Sequence, residues 1–162
     1  MTLLHDPENP RWAESGIADR LHAAAKREAV IEAVRSTARF ICNADGVTFV
    51  LRDGNLCHYV EEDAIGPLWK GQRFPMSACI SGWSMLNAET AVIEDIFTDP
   101  RIPHDAYRPT FVRSLIMTPA GADSPAAAIG AYWRQKKKFR NEEIAAVKTL
   151  GYLIGEALKG VA

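Results

Sequence analysis

Hydrophobic positions along the chain change their period several times. From Trp12 to Asp45 they recur at three- and four-residue steps: Ile17, Leu21, Ala24, Ile31, Val34, Ala38 and Ile41. That spacing lays an apolar stripe along one amphipathic helix, or along two consecutive ones. The stretch is long for a globular helix, so part of it is expected to pack against something outside its own domain. Asn43-Ala44-Asp45-Gly46 ends it. The period then shortens to two through VTFVLRDGNLCHYVEED, where Asp53-Gly54 separates two β-rich runs and predicts a two-residue hairpin.

GPLWKGQRFPM reads as a turn-rich connection with a short strand. SACISGWSMLNAE reads as a short helix, with Ser77 or Ser81 as its cap. TAVIEDI is a strand, and RSLIMTPAG and AAAIGAYWRQ are two more, joined by the turn chemistry of GADSP. Asn141 can cap the last helix, and Glu142 and Glu143 suit its positive end. Ile144, Val147, Leu150, Ile154 and Leu158 form its apolar stripe, and Gly160 ends it. Gly151 and Gly155 lie four apart on one face, and each costs about 1 kcal/mol of helix propensity. They predict close approach of another helix backbone, and with it a helix-paired dimer.

Runs of strands flanked by long helices predict an α+β fold: an antiparallel sheet with the terminal helices grouped on one face. Residues 1–11 read as a flexible N-terminus and 12–160 as a single domain. The 162 residues, 48% hydrophobic and 24% charged, fit one ordinary globular domain. A net charge of -1 gives no electrostatic footprint for nucleic acid or an anionic membrane. The basic run Arg134 to Arg140 reads as a solvated connection, with Phe139 tucked under the sheet. No apolar run reaches the ~18 residues of a membrane span. The N-terminus lacks the basic-then-apolar order of a secretory signal, so a cytoplasmic location is expected. Three cysteines, Cys42, Cys57 and Cys79, without a Cys-x-x-Cys pair argue against a disulfide framework or a structural zinc site. They are expected to be reduced and buried.

One segment is longer than a connection requires. Between the strand at Val92 and the strand at Ser114 lie Pro100, Pro103 and Pro109, with acids, arginines, a histidine and aromatics among them. Loops of this length and composition are commonly functional.

The motifs, taken in order, resemble those of a GAF domain, the small sensor module of histidine kinases, phytochromes and phosphodiesterases. They are Gly82 at a helix start, Glu89-Thr90, Ile93 to Asp95, Asp99-Pro100-Arg101, Ser114 to Pro119, and Phe139 with Glu142-Glu143. The similarity spans roughly residues 20 to 160 and is strongest to bacterial sensor-kinase domains. The resemblance implies a six-stranded antiparallel sheet, with any small molecule bound on the face opposite the terminal helices. The Asp-Pro-Arg loop and the short helix would wall that pocket.

Within the implied pocket, Trp83, Phe97, Ile102, Tyr107 and Phe111 are candidate walls. Cys79, Ser81, Asp99, Arg101, His104 and Asp105 are candidate polar contacts, with Arg108 nearby; an arginine fork suits a carboxylate or phosphate. The plainer reading is that Asp95 or Asp99 pairs with Arg101 or Arg113 and pins the loop.

The resemblance therefore implies a non-catalytic sensory module. It would bind a small-molecule ligand, pair with a second copy through its terminal helices, and regulate a signalling output domain or partner, as in two-component systems. No kinase ATP motif, cyclase or DNA-binding helix pair is present in the sequence. The chain is thus expected to be a piece of a longer sensor or to act through a partner protein.

The alternative is a redox enzyme like the free methionine sulfoxide reductases, which share the fold, using Cys79. In that family cysteines near this helix and in the following loop carry the chemistry. Here the loop holds His104 and Asp105 and no cysteine, and Cys42 and Cys57 lie elsewhere. Cys57-His58 has the dipeptide of bilin attachment, but on a strand that puts the two side chains on opposite faces. The asparagine-lysine signature of cyclic-nucleotide binding is absent. A third reading is a dimerisation domain whose pocket is plugged by side chains such as Trp83 or Phe111.

Overall fold

The N-terminal apolar stripe is carried by three helices in the computed structural model, which describes residues 10–121 and 124–161. They are α1 (Pro10–Ser15), α2 (Ile17–Ala23) and α3 (Arg27–Cys42). Gly16 turns left-handed (φ 66°) between the first two, a conformation glycine adopts without penalty. This break lets the chain fold back. Trp12, Ile17 and Leu21 are buried in the domain's own core, so these residues do not project toward another body as their length suggested. Pro10 and Arg11, expected in the flexible N-terminus, form the first turn of α1; residues 1–9 lie outside the described residues.

The six strands are β1 (Gly46–Asp53), β2 (Leu56–Ala64), β3 (Arg73–Pro75), β4 (Ala91–Ile93), β5 (Ser114–Pro119) and β6 (Ala127–Trp133). They form one antiparallel sheet in the order β3-β2-β1-β6-β5-β4. The β1–β2 turn is centred one residue later than expected: Asp53 pairs with Leu56, leaving Gly54 and Asn55 as the loop. Only Gly54 has positive φ there, the pattern of a type II′ turn.

α4 (Ile80–Asn87), α5 (His104–Tyr107) and α6 (Asn141–Lys159) complete the fold. Cys79 occupies the N-cap of α4, with Ser77 exposed ahead of it and Ser81 buried in the first turn. Asn141 is the first residue of α6 rather than its cap; Glu143 accepts the Arg140 N–H at 2.9 Å. Among the described residues no helix is long and apolar enough to cross a membrane.

The sheet separates two cores. Toward the terminal helices, Phe49, Ile116, Ile129 and Trp133 pack against Val34, Ile41, Leu150 and Ile154. Phe139 joins this core, its ring 5.0 Å from that of Trp133. On the other face, Val50, Tyr59, Met117 and Tyr132 pack under α4 and the long loop.

The two glycines of α6 have a different partner from the one expected. A Cβ on Gly151 would sit 2.7 Å from Thr118 Cγ2 and 2.9 Å from the Pro119 carbonyl oxygen. One on Gly155 would sit 2.7 Å from the Gly121 nitrogen. The backbone that approaches is the end of β5 and the start of its turn, so these glycines seat α6 on its own sheet.

Candidate functional site

The site is built on the sheet face away from the terminal helices. In β2 the pairing shifts between Phe49 and Val50: Phe49 faces Glu61 while Val50 faces Tyr59, leaving Val60 as an extra residue. A bulge of one residue reverses the side-chain alternation beyond it. Cys57, Tyr59 and Glu62 thereby come to the same side, although Tyr59 and Glu62 are three apart.

Glu62 then organises a loop. Its carboxylate accepts the backbone N–H groups of Leu68, Trp69 and Lys70 at 3.0, 2.9 and 2.8 Å. This clasp sets Trp69 over the sheet. Its ring centroid lies 5.6 Å from Tyr59, 5.6 Å from Tyr132 and 4.7 Å from Tyr107. Its indole N–H donates to the Ala106 carbonyl at 3.2 Å.

Gly130 explains how Tyr132 fits beneath. A Cβ there would be 2.6 Å from the Tyr132 hydroxyl. The phenol therefore lies across Gly130 to meet Thr48, the cross-strand partner of that glycine, with the two hydroxyls 2.8 Å apart. The Tyr59 hydroxyl meets that of Ser81 at 2.9 Å. Gly82 lets the preceding turn fold against α4: a Cβ there would fall 1.9 Å from the Met76 carbonyl oxygen.

A cavity of about 60 Å³ remains between Tyr59, Trp69, Phe74, Cys79, Pro103 and Tyr107. Tyr107 is one of the lining residues; its hydroxyl is buried with no partner at ordinary hydrogen-bond geometry, though close enough to Tyr132 for the two phenols to perturb each other. Burial pushes the phenols of Tyr59, Tyr107 and Tyr132 above their ordinary range, so all three are neutral around neutral pH. α5 roofs the cavity. His104 Nε2 lies 3.0 Å from the Ile96 carbonyl oxygen, and the Asp99 carboxylate takes Arg101 in two bonds of 3.0 and 2.7 Å.

Two thiols meet at the cavity wall. Cys79 Sγ lies 3.1 Å from Cys57 Sγ and 3.4 Å from the Ser81 hydroxyl oxygen. The Met76 thioether sulfur is 3.2 Å from Cys57 Sγ. Hydrogen bonds to the thiolate from Cys57, Ser81 and the Gly82 N–H hold the Cys79 thiol below its ordinary range despite burial. Cys57, hydrogen-bonded to Cys79 and buried, is pushed up. Cys42 lies in the other core, where burial alone raises it to about 12.

Of the residues expected at the site, Cys79 and Tyr107 line the cavity, Ser81 bonds its Tyr59 wall, and Ile102 is buried in the same cluster. The remainder serve other contacts. Phe97 is 54% exposed and lies beneath the Arg113 guanidinium. Arg101 stacks 4.4 Å over Trp83 while paired with Asp99, and Arg113 pairs with Asp95 at 3.2 Å. Asp105 pairs with Arg108 at the surface. Phe111 lies against Gly46, where a Cβ would meet its ring at 2.9 Å. The loop is thus pinned by its own ion pairs, as the plainer reading held. The arginine fork has a carboxylate of its own.

Sequence reasoning missed Tyr59, Trp69, Phe74, Glu62 and the Thr48–Tyr132 pair. Cys57 and Tyr59 could have been grouped by alternation along β2. The bulge that adds Glu62 leaves no mark in the sequence pattern.

No family model matches the chain, and no curated protein matches it. Solved structures do. The GAF domain of an Acinetobacter phosphoenolpyruvate-protein phosphotransferase superposes with a TM-score of 0.76 at 12% identity, over 93% of this chain and 94% of that one. Free methionine-R-sulfoxide reductase from Neisseria meningitidis, solved with its substrate, gives 0.75 at 16% identity over 99% and 97%. The chromophore-binding domain of a bacteriophytochrome from R. palustris gives 0.74 at 12% identity over 96% and 62%. The chain has the GAF fold. Similar structures include both sensory domains and reductases.

Proposed function

We propose that the chain is a non-catalytic sensory module that binds a small, uncharged molecule between Trp69, Tyr59 and the α5 roof. The Tyr107 hydroxyl carries this reading. A buried hydroxyl without a well-formed hydrogen bond costs up to about 1–3 kcal/mol, and this one belongs to a cavity-lining residue whose nearest polar neighbour is the Tyr132 phenol, already paired with Thr48. A ligand carrying one hydrogen-bonding group relieves that cost. The lining holds aromatic rings, alanines, a proline and a thiol, with no basic side chain to compensate an anionic ligand. The arginine and acids first expected to read a carboxylate or phosphate are paired with one another.

The cavity is small. Its 60 Å³ is roughly the share of two waters, against ~300–1,000 Å³ for ordinary ligand sites. Binding anything larger moves α5 outward, and that displacement is the signal. The module would work in the cytoplasm as a homodimer paired through its terminal helices, passing the signal to an output domain or partner such as that of a two-component histidine kinase. A groove of about 580 Å³ between α2 and α6, with Tyr152 43% exposed beside it, suits such pairing.

Thermal shifts with indole, phenol, nicotinamide and anionic controls such as benzoate test the ligand class. An uncharged compound raises Tm with concentration, and Tyr107→Phe weakens the response. Shifts from the anions alone would overturn it.

A redox enzyme using Cys79 is the second reading, favoured by the thiol's place on the cavity wall. It requires multiple turnovers of free methionine sulfoxide with a thiol reductant, lost in Cys79→Ser.

A further inference from the structure

We infer that Cys57 and Cys79 form a redox-active dithiol that closes to a disulfide when a small hydroperoxide enters the cavity. The inference rests on where the three cysteines stand, and does not depend on what ligand the cavity holds. Cys79 is at the cavity wall and Cys57 directly behind it, 3.1 Å away sulfur to sulfur. A disulfide bond is ~2.05 Å long, so closure needs about an ångström of movement. The helix N-cap holding Cys79 sits at the end of a short connection from β3, where such movement involves few residues. Only Cys79 has access to the cavity; Cys57 is fully buried near the start of β2, held between β1 and β3.

Their surroundings assign the roles. The Cys79 sulfur has the Ser81 hydroxyl and the Gly82 N–H to support a thiolate, which makes it the attacking sulfur. That thiolate attacks the terminal oxygen of the hydroperoxide. An S–O bond forms and the O–O bond breaks. The leaving alkoxide takes the proton that Cys79 gave up, and departs as an alcohol. Cys79 is now a sulfenic acid, oxidised by two electrons, and the peroxide is reduced. The Cys57 sulfur attacks the Cys79 sulfur. An S–S bond forms, the S–O bond breaks, and the leaving hydroxide takes the Cys57 proton as water. The sum is two thiols and one hydroperoxide giving one disulfide, one alcohol and one water. A thiol reductant reverses the bond by exchange.

The bridge would tie β2 to the start of α4 and remove the thiol from the cavity wall. Ser81, two residues on, bonds Tyr59, so the oxidised and reduced forms differ at the cavity itself.

The test is peptide mapping of the intact protein before and after hydrogen peroxide, without reductant. The expected product lacks two hydrogens, yields one cross-linked peptide containing Cys57 and Cys79, keeps Cys42 free, and reverts with dithiothreitol. In Cys57→Ala the cross-link is lost and Cys79 proceeds to sulfinic acid. Unchanged thiols, a stable sulfenic acid on Cys79 in the wild type, or a bridge between two chains would each overturn the inference. The wild-type map decides the matter even if the variant folds poorly.

Discussion

The hydroxyl of Tyr59 on β2 meets the hydroxyl of Ser81 on α4 at 2.9 Å, with both residues buried. This bond fixes the distance between the sheet and the helix that walls the cavity. Ser81→Ala strands a buried phenol, and the expected loss is about 1–3 kcal/mol in denaturant unfolding. It also removes one support of the Cys79 thiolate, so the Cys79 thiol titrates at higher pH than in the wild type. Unchanged stability together with unchanged thiol reactivity would contradict this placement.

Tyr107→Phe separates fold from function. The hydroxyl makes no well-formed hydrogen bond in the protein, so its removal leaves the ligand-free protein unchanged or about 1 kcal/mol more stable. Binding of an uncharged ligand falls by roughly 5- to 10-fold, the worth of one hydrogen bond. Calorimetric titration beside thermal unfolding reads both. A destabilised variant with full affinity would reverse the assignment.

Gly155→Ala places a Cβ against the Gly121 and Ala120 backbone. Overpacking of this kind costs about 1–3 kcal/mol, offset by ~1 kcal/mol of helix propensity. Net destabilisation is expected, with the oligomeric state unchanged in sedimentation. Tyr152→Glu, at the exposed groove of α6, should instead shift a dimer toward monomer while leaving the monomer's fold intact.

The sequence made much of the fold legible and less of the site. The helix and strand periods, the existence of the β1–β2 hairpin (though not its register) and the apolar stripe of α6 follow from local chemistry, which the chain carries in plain view. The meaning of Gly151 and Gly155 does not. Their spacing shows that something approaches closely, but only the three-dimensional seat of α6 shows that it is the β5 turn. The same holds for the charged loop. Asp99-Pro100-Arg101 looks like a ligand fork in one dimension and is a closed ion pair in three. Tyr59, Trp69 and Glu62 reach the site through a bulge and a backbone clasp, neither of which has a compositional signal.

Acid should loosen the roof before the sheet. The Arg101 guanidinium holds the Asp99 carboxylate below its ordinary value of 3.8, and Arg113 does the same for Asp95. A depressed carboxylate contributes stability above its unfolded value and loses it as pH falls through the folded one. The contribution is therefore complete above about pH 5 and disappears progressively below about pH 4. For the half-buried Asp99–Arg101 pair it is about 0.5–1 kcal/mol. Asp99→Asn should remove it at neutral pH and flatten the acid limb of the stability profile. A parallel acid limb in the variant would show that the pair contributes nothing.

The central claim, that the cavity under α5 takes a small molecule, is tested most directly by native mass spectrometry of the protein as purified from cells. The account predicts added mass on each chain, from one small uncharged compound, reduced in Tyr107→Phe. Bare-chain mass in the wild type and the variant alike, with the expected oligomer intact, would contradict it.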